Sequence, residues 1–353
     1  MYFGCVTKIS HSILIEQIAR RTGTSSTTVR RVLRGGNKEV WSSAAARANR
    51  IRSVARELGF LSNASASAMR KGRFDSLMLV LSETPGSSHI PERFLQSLLG
   101  TLEETGQRLV LARCSDAELM DSETLPSFLA NRVCDGAILN YTHNYPAELE
   151  RILRTCRIPF LWHNAPLAAD CVRYDDRAAS FTATQKLLDA GHRRIAYIDL
   201  RNNPDEPYHY SADERIAGFR AACHRHLASL PPIFRLGGLS GDDQLKRLVA
   251  LFQSPDRPTG VLTYDFADRV LYAAAVAGLS VPRDLSVLSF FEEPTKVCTL
   301  PLTGMITPSE EAARTAVTLL LRKIAEPHDP VYCPPLAFSF DPGASLAPPT
   351  HEN

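Results

Sequence analysis

The chain holds 353 residues, of which 44% are hydrophobic and 22% charged. At roughly 100 to 200 residues per domain this makes two or three domains, with enough apolar residues to give each a core, so a disordered or collagen-like chain is excluded. The 40 Lys and Arg nearly balance 38 Asp and Glu, but residues 1–75 carry fourteen basic and four acidic side chains, a net of +10, which leaves −8 for the rest. A small basic head on an acidic body wants a polyanion, and counterion release from nucleic acid is the usual driving force for binding one.

The best apolar run, Tyr272 to Leu279, stops at Ser280 and Pro282, short of the roughly 18 residues of a membrane span. The first residues contain one lysine, Lys8, and apolar residues broken by polar ones, without the continuous apolar core or cleavage site of a secretory signal. A cytoplasmic protein with no membrane partner is expected. Cys5, Cys114, Cys134, Cys156, Cys171, Cys223, Cys298 and Cys333 form no C-x-x-C pair and read as reduced, mostly buried thiols.

In chain order, Ile15, Ile18 and Ala19 share one face of a short helix ending near Arg21 and Thr22, and Gly23 supplies the turn. Ser25 is a good N-cap for a second helix from Ser26 to about Leu33, with Val29, Val32 and Leu33 inward and Ser26, Thr27, Arg30 and Arg31 outward. Two short helices about a glycine turn make a helix-turn-helix. The outward hydroxyls and guanidiniums suit base edges and phosphates in a major groove. A third helix carries Ala48, Ile51, Ala55 and Leu58 and ends at Gly59.

Ile18-Ala19, Gly23-Thr24-Ser25, Thr28-Val29, Arg31-Val32-Leu33 and Leu58-Gly59-Phe60 resemble the N-terminal signature of the lactose-repressor (LacI/GalR) family. The resemblance implies DNA contacts from Ser25, Ser26, Thr27, Thr28, Arg30 and Arg31. Asn63-Ala64-Ser65-Ala66-Ser67-Ala68-Met69 is similar to the family hinge, with Asn63, Ala66 and Met69 on the pattern positions. Such a hinge becomes helical on DNA, where an apolar side chain, here Met69, wedges into the minor groove. Arg30, Arg34 and Ser62, and the loop from Gly35 to Ser43, depart from the pattern, which bears on operator sequence rather than on DNA binding.

From Leu77 onward apolar runs read as strands: Leu77 to Leu81, Leu109 to Ala112, Ala137 to Leu139, Pro159 to Trp162, Ile195 to Ile198, Ile233 to Leu236, Val261 to Thr263 and Val287 to Phe290. Helical stretches lie between most of them, such as Arg93 to Thr105, Ser180 to Ala190 and Ala212 to His226. This alternation means parallel sheets covered on both faces. Asp135-Gly136-Ala137-Ile138, Gly191 to Ala196, Glu214 to Phe219, Pro282 to Leu288 and Pro301-Leu302-Thr303 continue the family resemblance in order. The expected fold is therefore α/β: a three-helix helix-turn-helix head (14–60) after an N-terminal extension (1–13), a hinge (61–75), and two Rossmann-like lobes of the periplasmic-binding-protein-like type I kind (76–346), with a tail at 347–353. Lobe 1 is expected at about 76–174 and 304–328, lobe 2 at about 175–303 and 329–346.

Carried over position by position, the resemblance implies an effector cleft with Phe94, Asn164, Tyr174, Arg215, Tyr264 and Asp265. Aromatic faces would pack on a ring, and Arg215 would offer a bidentate fork. Ser289-Phe290-Phe291-Glu292 stands where the family has G-F-D-D, so Phe291 replaces a carboxylate; either Glu292 or Glu293 takes over, or the effector is not a simple hexose. No nucleophile, P-loop, dinucleotide or zinc signature is present in the sequence, so no enzyme, cofactor or metal is expected. His224 and His226 read as a solvated helix face, and His89, His143 and His192 as structural. The expected partners are double-stranded operator DNA, a sugar or sugar-like effector, and a second copy in a homodimer, since no leucine heptads follow Asp341. A repressor is expected; the alternative is a sugar-binding transport or sensor protein that never touches DNA.

Overall fold

The computed structural model describes residues 11–33, 42–60, 72–115, 133–143, 145–201 and 209–350, and the chain divides into two units, Met1–Phe74 and Asp75–Asn353. In the first, α1 (His11–Thr22), α2 (Ser26–Leu33) and α3 (Ser42–Glu57) enclose a core of Ile15, Ile18, Ala19, Val29, Val32, Ala48, Ile51 and Ala55. Gly23 ends α1 at φ 66°, a left-handed conformation that costs glycine nothing, and Thr24 N–H returns to Ala19 O at 3.0 Å. Gly59 closes α3 in the same way, with Phe60 N–H on Ala55 O at 2.8 Å. The first helix starts at His11, four residues before Ile15, where its apolar periodicity begins.

The second unit has two sheets. The first, in order β2-β1-β3-β4-β5, comprises β1 (Ser76–Ser82), β2 (Arg108–Cys114), β3 (Gly136–Asn140), β4 (Phe160–His163) and β5 (Cys171–Val172), with α4 (Glu92–Glu104) after β1 and α5 (Ala147–Thr155) after β3. All its pairings are parallel. Along β1, Leu77 and Leu79 enter one core and Met78 and Val80 the other, the period of two that a sheet buried on both faces requires.

The chain then passes into a second set of elements: α6 (Asp176–Asp189), β6 (Ile195–Asp199), α7 (Ser211–His226), β7 (Ile233–Arg235), α8 (Gly241–Gln253), β8 (Gly260–Thr263), α9 (Ala267–Val276), β9 (Ser286–Phe291), the hairpin β10 (Lys296–Val297) and β11 (Leu300–Pro301), and β12 (Thr303–Ile306). It returns through α10 (Ser309–Ala325) and ends in β13 (Ser339–Asp341). The second sheet runs β13-β12-β9-β8-β6-β7, antiparallel only at β12–β13. The helix α10 belongs to the first lobe, where Ala312, Ala313, Ala316, Val317 and Leu320 pack with Leu77 and Phe94. Three segments therefore cross between the lobes, at 174–176, 307–309 and 336–339.

Two expected lobe boundaries move. Residues 304–306 belong to the second sheet, because β12 pairs with β9. Val331 and Leu336 lie in the first lobe's core, and Leu336 bridges Tyr174. The segment from 347 is no free tail either. Ser345 Oγ accepts from Thr303 N–H at 2.8 Å, Ala347 N–H donates to Ser286 Oγ at 3.1 Å, and the buried His192 Nε2 lies 2.9 Å from Ala347 O.

Gly218, the glycine of the Glu214–Phe219 motif, marks a close approach of α6 and α7: a Cβ there would overlap the carbonyl oxygen of Arg177. Helix propensity alone would make Gly218→Ala stabilising by up to about 1 kcal/mol. Overpacking predicts the opposite sign, a loss of about 1–3 kcal/mol. Urea denaturation should show a lower midpoint at unchanged slope.

Candidate functional site

In the first unit, Ser25 Oγ accepts from Thr28 N–H at 3.2 Å and lies 3.0 Å from Thr28 Oγ1, so both hydroxyls serve the start of α2. Thr27, Arg30 and Arg31 are exposed, Ser26 half-buried. Neither Arg30 nor Arg31 meets a carboxylate among the described residues. The second helix thus presents uncommitted guanidiniums and hydroxyls on one side while Val29 and Val32 hold its other side in the core. Asn63, Ala66 and Met69 lie outside the described residues.

In the second unit, a cavity of about 690 Å³ opens at the carboxyl ends of strands from both sheets, the position that parallel sheets reserve for ligands. The first lobe contributes His89, Thr142, His163, Asn164 and Tyr174, and the second Asp176, Arg201, His209, Ser211, Arg215, Tyr264, Asp265, Phe291 and Glu292.

Arg215 dominates the second lobe's wall. Only 9% exposed, it donates from Nε to Asp176 Oδ1 at 2.7 Å and from Nη1 to Tyr264 O at 3.2 Å. Its guanidinium carbon lies 3.9 Å from the Phe290 ring centre and 4.3 Å from that of Tyr264. Burial alone would lower its pKa; the Asp176 charge outweighs this and raises it, so the guanidinium stays charged. Nη2 takes part in none of these bonds, and Asp176 Oδ2 is buried without a partner. That amino group and that carboxylate oxygen are thus the members of the pair left uncommitted. Arg201 pairs with Asp199 at 2.9 and 2.5 Å and stacks 3.7 Å from the Tyr264 ring centre.

On the first lobe's side the hydrogen bonds run in one direction. Asn140 Oδ1 accepts from His89 N–H at 3.1 Å, which turns Nδ2 towards His163 Nδ1 at 3.0 Å. Imidazole Nδ1 is then the acceptor, so Nε2–H donates to Tyr174 Oη at 3.0 Å; the tautomer follows from the partners. Burial holds His163 neutral, with its pKa pushed down to about 3. Separately, the Ser309 hydroxyl donates to Glu292 Oε2. Across the cleft, His209 Nε2 donates to Asn164 O at 3.1 Å and Tyr210 Oη to Asn164 Oδ1 at 2.8 Å. His209 also stays neutral, its pKa lowered by burial to about 4.

Of the expected effector residues, Asn164, Tyr174, Arg215, Tyr264, Asp265, Phe291 and Glu292 line this cavity. Phe94 does not: fully buried, it stacks 4.0 Å behind the His163 ring. Tyr264 is no open stacking face, since two guanidiniums occupy its ring. Phe291 has no ring or cation contact of this kind among the described residues. His89 lines the cavity, whereas His143 and His192 are buried hydrogen-bonding residues, as isolated histidines usually are. Sequence reasoning missed His163, His209, Arg201 and Asp176, which stand at the end of a strand, just past one, or at or just before a helix start; that position is the only signal they carry.

The fold and site define a two-lobed ligand-binding body joined in one chain to a helix-turn-helix head. Residues 184–338 match the periplasmic binding protein-like domain. The ribose operon repressor of Escherichia coli (strain K12) is 26% identical over 325 residues, 89% of this chain and 93% of that protein. The HTH-type transcriptional regulator GntR of Pseudomonas aeruginosa is 26% identical over 330 residues, 88% and 89% of the two chains. The crystal structure of the lac repressor dimer bound to operator and the anti-inducer ONPF superposes at a TM-score of 0.73 with 18% identity, covering 97% of this chain and all of that one. Over about nine-tenths of its length the chain is thus similar to transcriptional regulators of the LacI/GalR type.

Removing the guanidinium would leave Asp176 buried and unpaired. Arg215→Ala is therefore expected to cost about 3–5 kcal/mol of folding stability, and Arg215→Lys, which keeps the charge but not the fork, distinctly less; chemical denaturation of the two variants decides it. The buried His163 has a second consequence. Its native pKa lies below the unfolded value of about 6.5, so the unfolded chain alone takes up the proton as pH falls from 6.5 towards 3. Stability is then lost by up to about 1.4 kcal/mol per pH unit from this residue. A His163→Gln variant should lose stability less steeply than the parent between pH 6 and 4 by about that slope, measured by denaturant unfolding across pH.

Proposed function

We propose that this protein is a sequence-specific DNA-binding regulator of transcription, a repressor in which two heads and two hinges of a dimer engage a pseudo-palindromic operator. The observation that carries the reading is α2, where Arg30 and Arg31 stand without carboxylate partners among the described residues beside the hydroxyls of Ser26 and Thr27. These are groups that bind phosphates and read guanine edges.

The cleft takes a small polyhydroxylated metabolite, a carbohydrate or carbohydrate derivative. Its volume lies within the roughly 300–1,000 Å³ of small-molecule sites. Arg215 Nη2 offers a donor, Asp176 Oδ2 and Asp265 offer acceptors, and Phe291 offers an apolar face. One relative is named for the ribose operon, which agrees with this chemistry. Occupancy changes DNA affinity only as far as the ligand binds one arrangement of the two lobes better than another. No catalytic step is assigned, since the relatives are regulators. A cytoplasmic location goes with this role.

Purified full-length protein should retain from sheared genomic DNA, at roughly physiological salt where non-specific binding is weak, fragments sharing a short palindrome. Met69→Gly should weaken binding to that palindrome far more than to random DNA, as loss of a minor-groove wedge requires. Retention of no common sequence would leave a ligand-binding body without an operator; equal losses on both DNAs would remove Met69 from the hinge role.

A further inference from the structure

The two carboxylates after β9 leave the second lobe together and reach separate helices of the first. Glu292 Oε2 accepts from the hydroxyl of Ser309, the first residue of α10. Glu293 Oε2 accepts from Arg93 Nη1 at 2.8 Å, in the first turn of α4. Both helices pack in the first lobe's core, and both present amino-terminal turns, where an anion is favoured. Arg93 is shared, because Nη2 also bonds Glu310 in the first turn of α10. One guanidinium thus ties α4 to α10 within its lobe and to Glu293 across the gap.

The first lobe's wall also carries the directed bonds from Asn140 through His163 to Tyr174. The acceptor of the Ser309 hydroxyl is the Glu292 carboxylate. Withdrawing it would leave the Ser309 proton without its acceptor in a half-buried site.

We propose that Glu292 and Glu293 form an interlobe clasp at the mouth of the cleft, with Glu292 as the inner prong held by the Ser309 hydroxyl at the start of α10 and Glu293 as the outer prong held by Arg93. In this role Glu292 is a positioning residue: its Oε2 is committed to the first lobe. The clasp sets the resting separation of the lobes, the quantity that a ligand has to change. It concerns the body alone, so it stands or falls independently of operator binding.

The test is single-molecule energy transfer in the full-length protein without added ligand. Dyes would sit on click-reactive residues at the exposed Ala147 of α5 and Asp242 of α8, in an excess of unlabelled protein. Glu293→Gln should raise the population of the wider lobe separation about 1.5- to 5-fold, the range for an exposed ion pair, and Glu292→Ala about tenfold, the range for a charged hydrogen bond. Arg93→Gln made on top of Glu293→Gln should add nothing to the wider population. Unchanged transfer in the double variant Glu292→Ala/Glu293→Gln, even with a lower melting temperature, would overturn the clasp and leave two local stabilising contacts. If Glu292→Ala does not fold, the exposed Glu293 decides alone: no shift in Glu293→Gln overturns the proposal.

Discussion

A guanidinium taken out of water loses several kcal/mol of hydration that only close charge and hydrogen-bond partners can return. At Arg215 these come from Asp176 at the start of α6, the carbonyl of Tyr264 after β8, and the rings of Phe290 on β9 and Tyr264. Three strand or helix ends are therefore held in register by one side chain, and the second lobe's half of the cleft is assembled around it. The same arrangement fixes what the cleft can offer. Each partner consumes part of the fork, and what remains for a ligand is one amino group of Arg215 and one oxygen of Asp176.

Neutral groups organise the opposite wall and the contact made to it from the second lobe. His163 and His209 are kept uncharged by burial, and each imidazole joins an acceptor to a donor in a fixed sense. Because His209 reaches Asn164 across the gap, and Glu292 and Glu293 reach Ser309 and Arg93, the lobes meet through polar contacts at several points around the cavity. Polar contacts of this kind exchange readily with water or with ligand hydroxyls. A dry apolar seam would hold more firmly but respond less to a polar solute.

Much of this was legible in the sequence, and for identifiable reasons. The head is short-range: Ile15, Ile18, Ala19, Val29 and Val32 follow helical spacing, and Gly23 and Ser25 are local stop and start signals. The eight strands read from apolar runs all exist, since a sheet buried on both faces writes itself as continuous hydrophobic stretches. The strands β5, β10, β11, β12 and β13 escaped notice because none is marked by an apolar run of its own, and for β12 and β13 pairing with other strands decides them. In the cleft, Arg215 and Tyr264 could be carried over from motifs, but the role of Asp176 depends on which helix its neighbour packs against. Phe94 shows the limit from the other side: an aromatic residue at the right position sits one layer too deep, because His163, invisible as a site residue in the sequence, occupies the layer above.

The interleaving of the lobes along the chain also governs the order in which a ribosome can deliver a finished protein. The first lobe's five strands are complete at Val172, yet one face of that sheet has only α4 to cover it until α10 arrives at 309–325. The second lobe waits longer still. Its β12 needs β13, and Ser286 and His192 find their last partners only at Ala347. The head, by contrast, closes its core with residues no later than Phe60. During synthesis the basic head is thus finished while roughly 290 residues of ligand-binding body are still missing, and both lobes gain their covering almost together at the end, a long interval of exposed apolar sheet of the kind that chaperones attend.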